Sequence, residues 1–232
     1  MQSYCPPQQH PLTLVKKATT HHFSAVRLSQ NSDICTQICN TMNTNLLQQL
    51  FGDAPLPRQE MEAIVALLDI QTFPKGTHIL REGEISSKCF FILKGCVRQY
   101  LLDDGTEKTT FFYTENQAVV PFDSYLQQKP SRHYFVCIED VTAIVGNPSE
   151  EKEMYQKFPK LESLTRMMVE QGFGKTQEDF ATFITSSPEE RYLNLQTNRP
   201  DLLQRVPQHQ IASYLGITPE SLSRIRRRLA KK

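Results

Sequence analysis

The sequence predicts an α+β fold in which a β-rich half is followed by an all-helical half. Three observations lead there. Turn signals recur about every ten residues from Phe73 to Gly105, with short β-prone runs between them. After Gly146, apolar residues recur at helical spacing to the end of the chain. Near that end, two short helical patterns meet at Gly216.

The 232 residues allow one large domain or two modest ones, and a core of that size needs no disulfide or metal. The longest apolar run, Ala63 to Leu68, is far below the roughly 18 residues that span a bilayer. No basic start followed by an apolar block marks a secretory signal. Six cysteines without a compact framework read as reduced thiols of a cytosolic protein. A membrane-spanning chain and a disulfide scaffold are therefore excluded, and a cytoplasmic location is expected. Charge is unevenly placed. Seven basic residues against Glu220 alone give 205–232 a charge of +6, leaving −5 for the rest of a chain whose net is +1. A basic end on an acidic body is expected of a nucleic-acid-binding module joined to something else.

Residues 1–43 are rich in Gln, Thr, Ser, His and Asn and have neither helical nor strand period. They are expected to be disordered, or a mis-called extension with translation starting at Met42, where a helical pattern begins. From Pro57 a helix is predicted, with Met61, Ile64, Val65 and Leu68 on one face. Strands are predicted at His78–Leu80, Cys89–Leu93, Val97–Leu102, Thr109–Tyr113, Tyr134–Ile138 and Thr142–Val145. Asp104-Gly105 supplies the positive φ of a tight hairpin. Regular short strands with glycine turns indicate a β-sandwich or barrel.

Leu161, Leu164, Met168, Val169, Phe173, Phe180 and Phe183 then form one long interrupted amphipathic stretch. Gly172 and Gly174 inside it cost about 1 kcal/mol each relative to Ala, tolerable where another backbone packs closely. The apolar stretch is too long to be covered by one small β domain, so a two-fold dimer along it is expected. Ser187-Pro188-Glu189-Glu190 is a capping box with proline at the first helical position, opening a helix that ends near Asn198.

The informative stretch is PQHQIASYLGITPESLSRIRRRL, from Pro207 to Leu229. A helix from Pro207 presents Ile211 and Leu215 and ends at Gly216 in a left-handed conformation. Thr218 caps a second helix, with Pro219 at its first position. Leu222, Ile225 and Leu229 face inward, while Glu220, Ser223, Arg224, Arg227 and Arg228 occupy the outer faces. Two short helices joined at a glycine turn, the second arginine-rich outside, describe a helix-turn-helix, and double-stranded DNA is the partner it points to.

In this order of elements the chain resembles the Crp/Fnr transcriptional regulators over about Thr44 to Leu229. The segments FPKGTHILREGE and FFILKGCVRQYLLDDGTEKT look like the start of that family's cyclic-nucleotide-binding domain. The resemblance implies an N-terminal double-stranded β-helix (β-roll) sensor domain at 44–155, a long dimerisation helix at 156–186 and an all-α helix-turn-helix domain at 187–232. It also implies a homodimer on a palindromic site, with RNA polymerase as a candidate partner. Within the recognition helix the family's reading pair corresponds to Glu220 and Arg224, and Ser223 gives the E-x-x-S-R form of the Fnr-like branch, whose half-sites carry a TTGA core. Arginine can fork to guanine O6 and N7, and a carboxylate can accept from cytosine N4. Glu220 either reads a base or orients Arg224 one turn away. Ser221, Arg227 and Arg228 are expected on phosphates, which position without reading. Many relatives continue into a β-hairpin wing, for which this chain shows no residues after Lys232.

The same resemblance places a glycine-containing phosphate cassette, followed by an arginine, where this chain reads NQAVVPFDSYLQQKPSRHYFVCIED. No glycine lies between Gly105 and Gly146, and only Ser131 and Arg132 stand near the family's ligand positions. Cyclic nucleotide is therefore not expected, and Arg132 reads as a surface or ion-pairing residue. An iron–sulfur cluster is not expected either. Cys35 and Cys39 do not reproduce the clustered ligands of such sensors, and Cys5, Cys89, Cys96 and Cys137 are scattered. His21-His22 reads as a solvated pair, and no metal site or other cofactor is expected. No nucleophile elbow, P-loop or zinc-protease motif is present, and Asp103-Asp104 is explained by its hairpin, so the chain does not read as an enzyme. Two alternatives stay open: a cyclic-nucleotide-responsive regulator, and a β-roll interaction module without DNA binding.

Overall fold

In the computed structural model, residues 45–52 and 54–231 are described, all within the compact unit Asn43–Lys232. The N-terminal extension, with Cys5, Cys35, Cys39, His21-His22 and the start expected at Met42, lies outside them.

Helical residues 45–51 (α1) and α2 (Arg58–Val65) precede the sheets. The strands are β1 (Asp69–Phe73), β2 (His78–Leu80), β3 (Cys89–Lys94), β4 (Val97–Asp103), β5 (Thr106–Tyr113), β6 (Ala118–Val119), β7 (Tyr134–Cys137) and β8 (Val141–Gly146). They build two four-stranded antiparallel sheets, β1-β8-β3-β6 and β2-β7-β4-β5. Ile92, Val97, Val119, Phe135, Cys137, Val141 and Ala143 fill the space between, each at most 2% exposed. The expected α+β class, with its β-roll and terminal helical domain, is the fold observed.

All six expected strands are present, and Asp103 pairs with Thr106 across the two-residue turn. Asp104 (φ 48°) and Gly105 (φ 73°) both have the positive φ that this turn demands. The predicted helix through Leu68 stops at Val65, and Asp69–Phe73 adds an unforeseen edge strand on β8. Its exposed Asp69 and Ile70 give no clean alternation. Leu68 still packs, beside the buried Ile64 and Phe158, on a small cluster at the base of the roll. The short α3 (Phe122–Gln127) was also unforeseen, and its Phe122 and Leu126 are exposed.

Residue 156, the expected start of the dimerisation helix, falls inside α4 (Pro148–Lys157). Pro159 has no N–H to continue α4, and Phe158 turns into the core, so the long helix starts at Pro159. This α5 (Pro159–Thr185) runs 27 residues without interruption, about 40 Å at 1.5 Å per residue. None of its residues is buried, and Val169, Phe173, Phe180 and Ile184 are 44–65% exposed. The close backbone expected at Gly172 and Gly174 is not supplied within the chain, since a Cβ at either would meet nothing within 4 Å.

The terminal domain comprises α6 (Pro188–Asn198), α7 (Pro200–Arg205), α8 (Gln208–Tyr214) and α9 (Pro219–Leu229). The capping box at Ser187 and Glu190 is formed on both sides. Pro200 ends α6 as expected but also starts α7, because proline suits a first helical turn.

Candidate nucleic-acid interface

The helix-turn-helix is built from its turn outward. Gly216 (φ +69°) follows α8 in the left-handed region. Ile217 N–H donates to the Ala212 carbonyl and Gly216 N–H to the Ser213 carbonyl, both at 3.0 Å. This paired closure, with Ile217 packed into the core, is a Schellman ending that turns the chain sharply. Thr218 then caps α9, its Oγ1 accepting from Ser221 N–H at 3.2 Å. Leu222 and Ile225 seal α9 onto Leu202, Ile211, Ala212 and Leu215. The packing residues expected from the sequence are thus the packing residues found.

The polar side of α9 is what remains. Glu220, Ser223, Arg224 and Arg227 are exposed and lie on one face, one helical turn apart in pairs. Hydrogen bonds from its own backbone N–H and from Thr218, at the positive end of the helix, hold the Glu220 carboxyl below its ordinary pKa. Arg224 Nη2 contacts Ser221 Oγ at 3.4 Å, which leans the guanidinium toward the N-terminal end of α9. Ser221 is half-buried in the cap and steadies Arg224 from beside the outer face. Arg228 departs from the group: its guanidinium is paired with Glu189 of α6. Arg226 and Arg227 border a groove of about 690 Å³ against Leu193 and Gln196 of α6, so positive charge continues around the helix.

The expected effector residues lie elsewhere and do not form a comparable site. Ser131 is 5% exposed and committed to the fold. Its hydroxyl donates to the His133 carbonyl at 2.9 Å and accepts from His133 N–H at 3.0 Å, while its backbone is bonded to Gly83 and Glu84. Arg132 is exposed beside it. In α3 the buried Ser124 accepts from Ser86 N–H at 2.6 Å, so a side chain occupies the turn that the glycine cassette would keep open. Cys96 and Cys137 are buried, and burial pushes their thiols up to about 12 and about 11. Cys89 is half-buried, its thiol raised for the same reason. Among the described residues no group of three or more His, Cys, Asp or Glu is placed to hold a metal ion.

Sequence reasoning missed the arginines that join the two halves. Arg205 counted toward the basic end, yet it is held by Glu115 and Glu139 of the β-roll and adds nothing to the outer face of α9. Arg199 donates to Thr114 Oγ1 at 3.0 Å. Arg191 lies over the Phe183 ring, 3.9 Å from its centroid, and donates to the Phe183 and Leu215 carbonyls. The signal available was the −5 charge of the preceding chain, to which some of these cations had to answer.

A β-roll joined by a long helix to an exposed helix-turn-helix defines a two-domain regulator architecture. Residues 70–157 match the cyclic nucleotide-binding domain family. A comparison with curated protein sequences found no match. Among solved structures the fold is shared with CLP of Xanthomonas campestris, described as a c-di-GMP responsive global regulator, at TM-score 0.59 and 14% identity over 75% of this chain and 92% of that one. It is shared with FixK2 of Bradyrhizobium japonicum at TM-score 0.56 and 17% identity, covering 71% and 85%. A double mutant of CooA from Carboxydothermus hydrogenoformans gives TM-score 0.56 and 14% identity, covering 73% and 79%. The chain has the Crp/Fnr regulator fold, and its residues 70–157 belong to the cyclic nucleotide-binding domain family. Among the described residues no helix is long and apolar enough to cross a membrane.

Proposed function

We propose that this protein is a sequence-specific DNA-binding transcription regulator that grips a palindromic site as a homodimer. The observation that carries the reading is the outer face of α9, where Glu220, Ser223, Arg224 and Arg227 stand exposed over an apolar inner face. Arg224 reads a guanine, Glu220 orients it or accepts from cytosine, and Arg227 meets phosphate. Dimerisation uses α5, whose Val169, Phe173, Phe180 and Ile184 stripe finds no cover in its own chain. Gly172 and Gly174 leave room there for a second helix to approach. The site of action is the cytoplasm, RNA polymerase is the downstream partner, and no catalytic step, metal or cofactor is involved.

The family match over residues 70–157 favours a second reading, a regulator responsive to cyclic nucleotide. Against it stand the internal commitments of Ser124 and Ser131 and the lack of glycine between Gly105 and Gly146. Light scattering tests the first reading. The free protein should have about twice the mass of the 26.7 kDa chain, and its complex with a palindromic duplex should contain two chains per duplex. A monomer that binds the duplex tightly contradicts it.

A further inference from the structure

The sheet β2-β7-β4-β5 ends on β5, and a strand in that position leaves backbone groups without a partner strand. One side chain of α8 takes up two of them. Thr109 N–H donates to Ser213 Oγ at 2.9 Å, and the Ser213 hydroxyl donates to the Glu107 carbonyl at 3.2 Å. The attachment lies beside the bulge between Gln99 and Tyr100, where the β4–β5 register shifts.

Two more ties act in the same sense. Arg205, at the end of α7, forks onto Glu115 at 2.8 and 2.9 Å and also pairs with Glu139, both on the β-roll. Cys96 and Phe112 of the β-roll share one buried cluster with Leu202, Val206 and Ile211 of the helical domain. All these contacts grip the domain through α7, α8 and their core, while the reading face of α9 stays exposed. Covalently, only Ser186 and Ser187 separate α5 from α6.

We infer that Ser213 and Arg205 are positioning residues that fix the helix-turn-helix against the β4–β5 hairpin, so that the β-roll sets the spacing of the two recognition helices in a dimer. The inference rests on the dimeric DNA-binding reading above. A movement of the hairpin then reaches α8 directly, without passing along α5.

The test is binding of the full chain to duplexes carrying the selected inverted repeat at its best spacing and with one to three base pairs inserted or removed. The wild type should prefer one spacing by about tenfold, falling to about twofold in Ser213→Ala and in Glu115→Gln/Glu139→Gln, because a flexible tether tolerates many spans. Ser213→Thr, which keeps the hydroxyl, should restore the preference. Serine to alanine within a helix does not endanger folding, and the paired glutamine variant leaves α8 untouched. Variants that lose affinity equally at every spacing, or keep the wild-type preference, overturn the inference while DNA binding stands. A wild type indifferent to spacing does the same. A wild type that binds no duplex overturns the DNA reading and this inference together.

Discussion

Arg228, in the last turn of α9, is paired with Glu189 at the start of α6. The recognition helix is thereby tied to the helix behind it, and one of the two arginines expected on phosphate has a protein partner instead. Arg227→Ala should lower the slope of log affinity against log salt by about one, as for loss of one phosphate contact. Arg228→Ala should leave that slope unchanged and cost under about 1 kcal/mol of stability, since the pair is largely exposed. Salt titrations of both variants on one duplex check this; equal slope changes would return Arg228 to the phosphate.

Gly95 joins β3 to β4 with φ +106°, and a Cβ there would lie 2.5 Å from the Asp140 carbonyl oxygen and 2.8 Å from Val141 Cα. Gly95→Ala should therefore cost about 3 kcal/mol or more, from backbone strain and overlap together. Gly105→Ala has strain but open space and should cost about 1 kcal/mol. Urea unfolding measures both, and similar losses would refute the steric account.

Local signals were legible wherever one residue type had one physical use. Asp104-Gly105, Ser187-Pro188, Gly216 and Thr218 each stand where the sequence puts them, because positive φ, a fixed φ or a capping oxygen is needed there. β1 was not legible, since an edge strand with exposed Asp69 and Ile70 carries little period. The junction was not legible either. Arg205 and Glu115 lie 90 residues apart, and no local pattern tells a cation bound to a carboxylate from one awaiting a phosphate. Ser131 illustrates the reverse: its place in the sequence recommended it as a ligand, and its hydrogen bonds show it holding the loop.

The junction should respond to acid. Burial by itself raises the Glu115 carboxyl, but hydrogen bonds from Arg205 and from Gly95 N–H outweigh it and hold the group below its ordinary value. A carboxyl depressed by folding stabilises the protein fully above its unfolded pKa and loses that contribution as pH falls through the folded value. Wild-type stability should thus drop more steeply than that of Glu115→Gln as pH falls below about 4. Thermal unfolding across pH 3 to 6 checks it, and parallel profiles would show that Glu115 contributes nothing.

Isothermal titration with cyclic AMP or cyclic GMP should show no binding tighter than about millimolar. A micromolar constant would mean that Ser124 and Ser131 give up their present partners for the ligand.

The most direct test of the central claim is selection of bound sites from random duplexes by the full chain, run in parallel with Arg224→Ala. The wild type should recover an inverted repeat with half-site centres about 34 Å apart, one helical turn, and a G·C pair in each half. Arg224→Ala should cost about 1–3 kcal/mol per half-site and relax the preference at that pair alone. No enrichment from the wild type, or the same consensus from both proteins, would contradict the assignment of α9 as the reading helix and Arg224 as its reading residue.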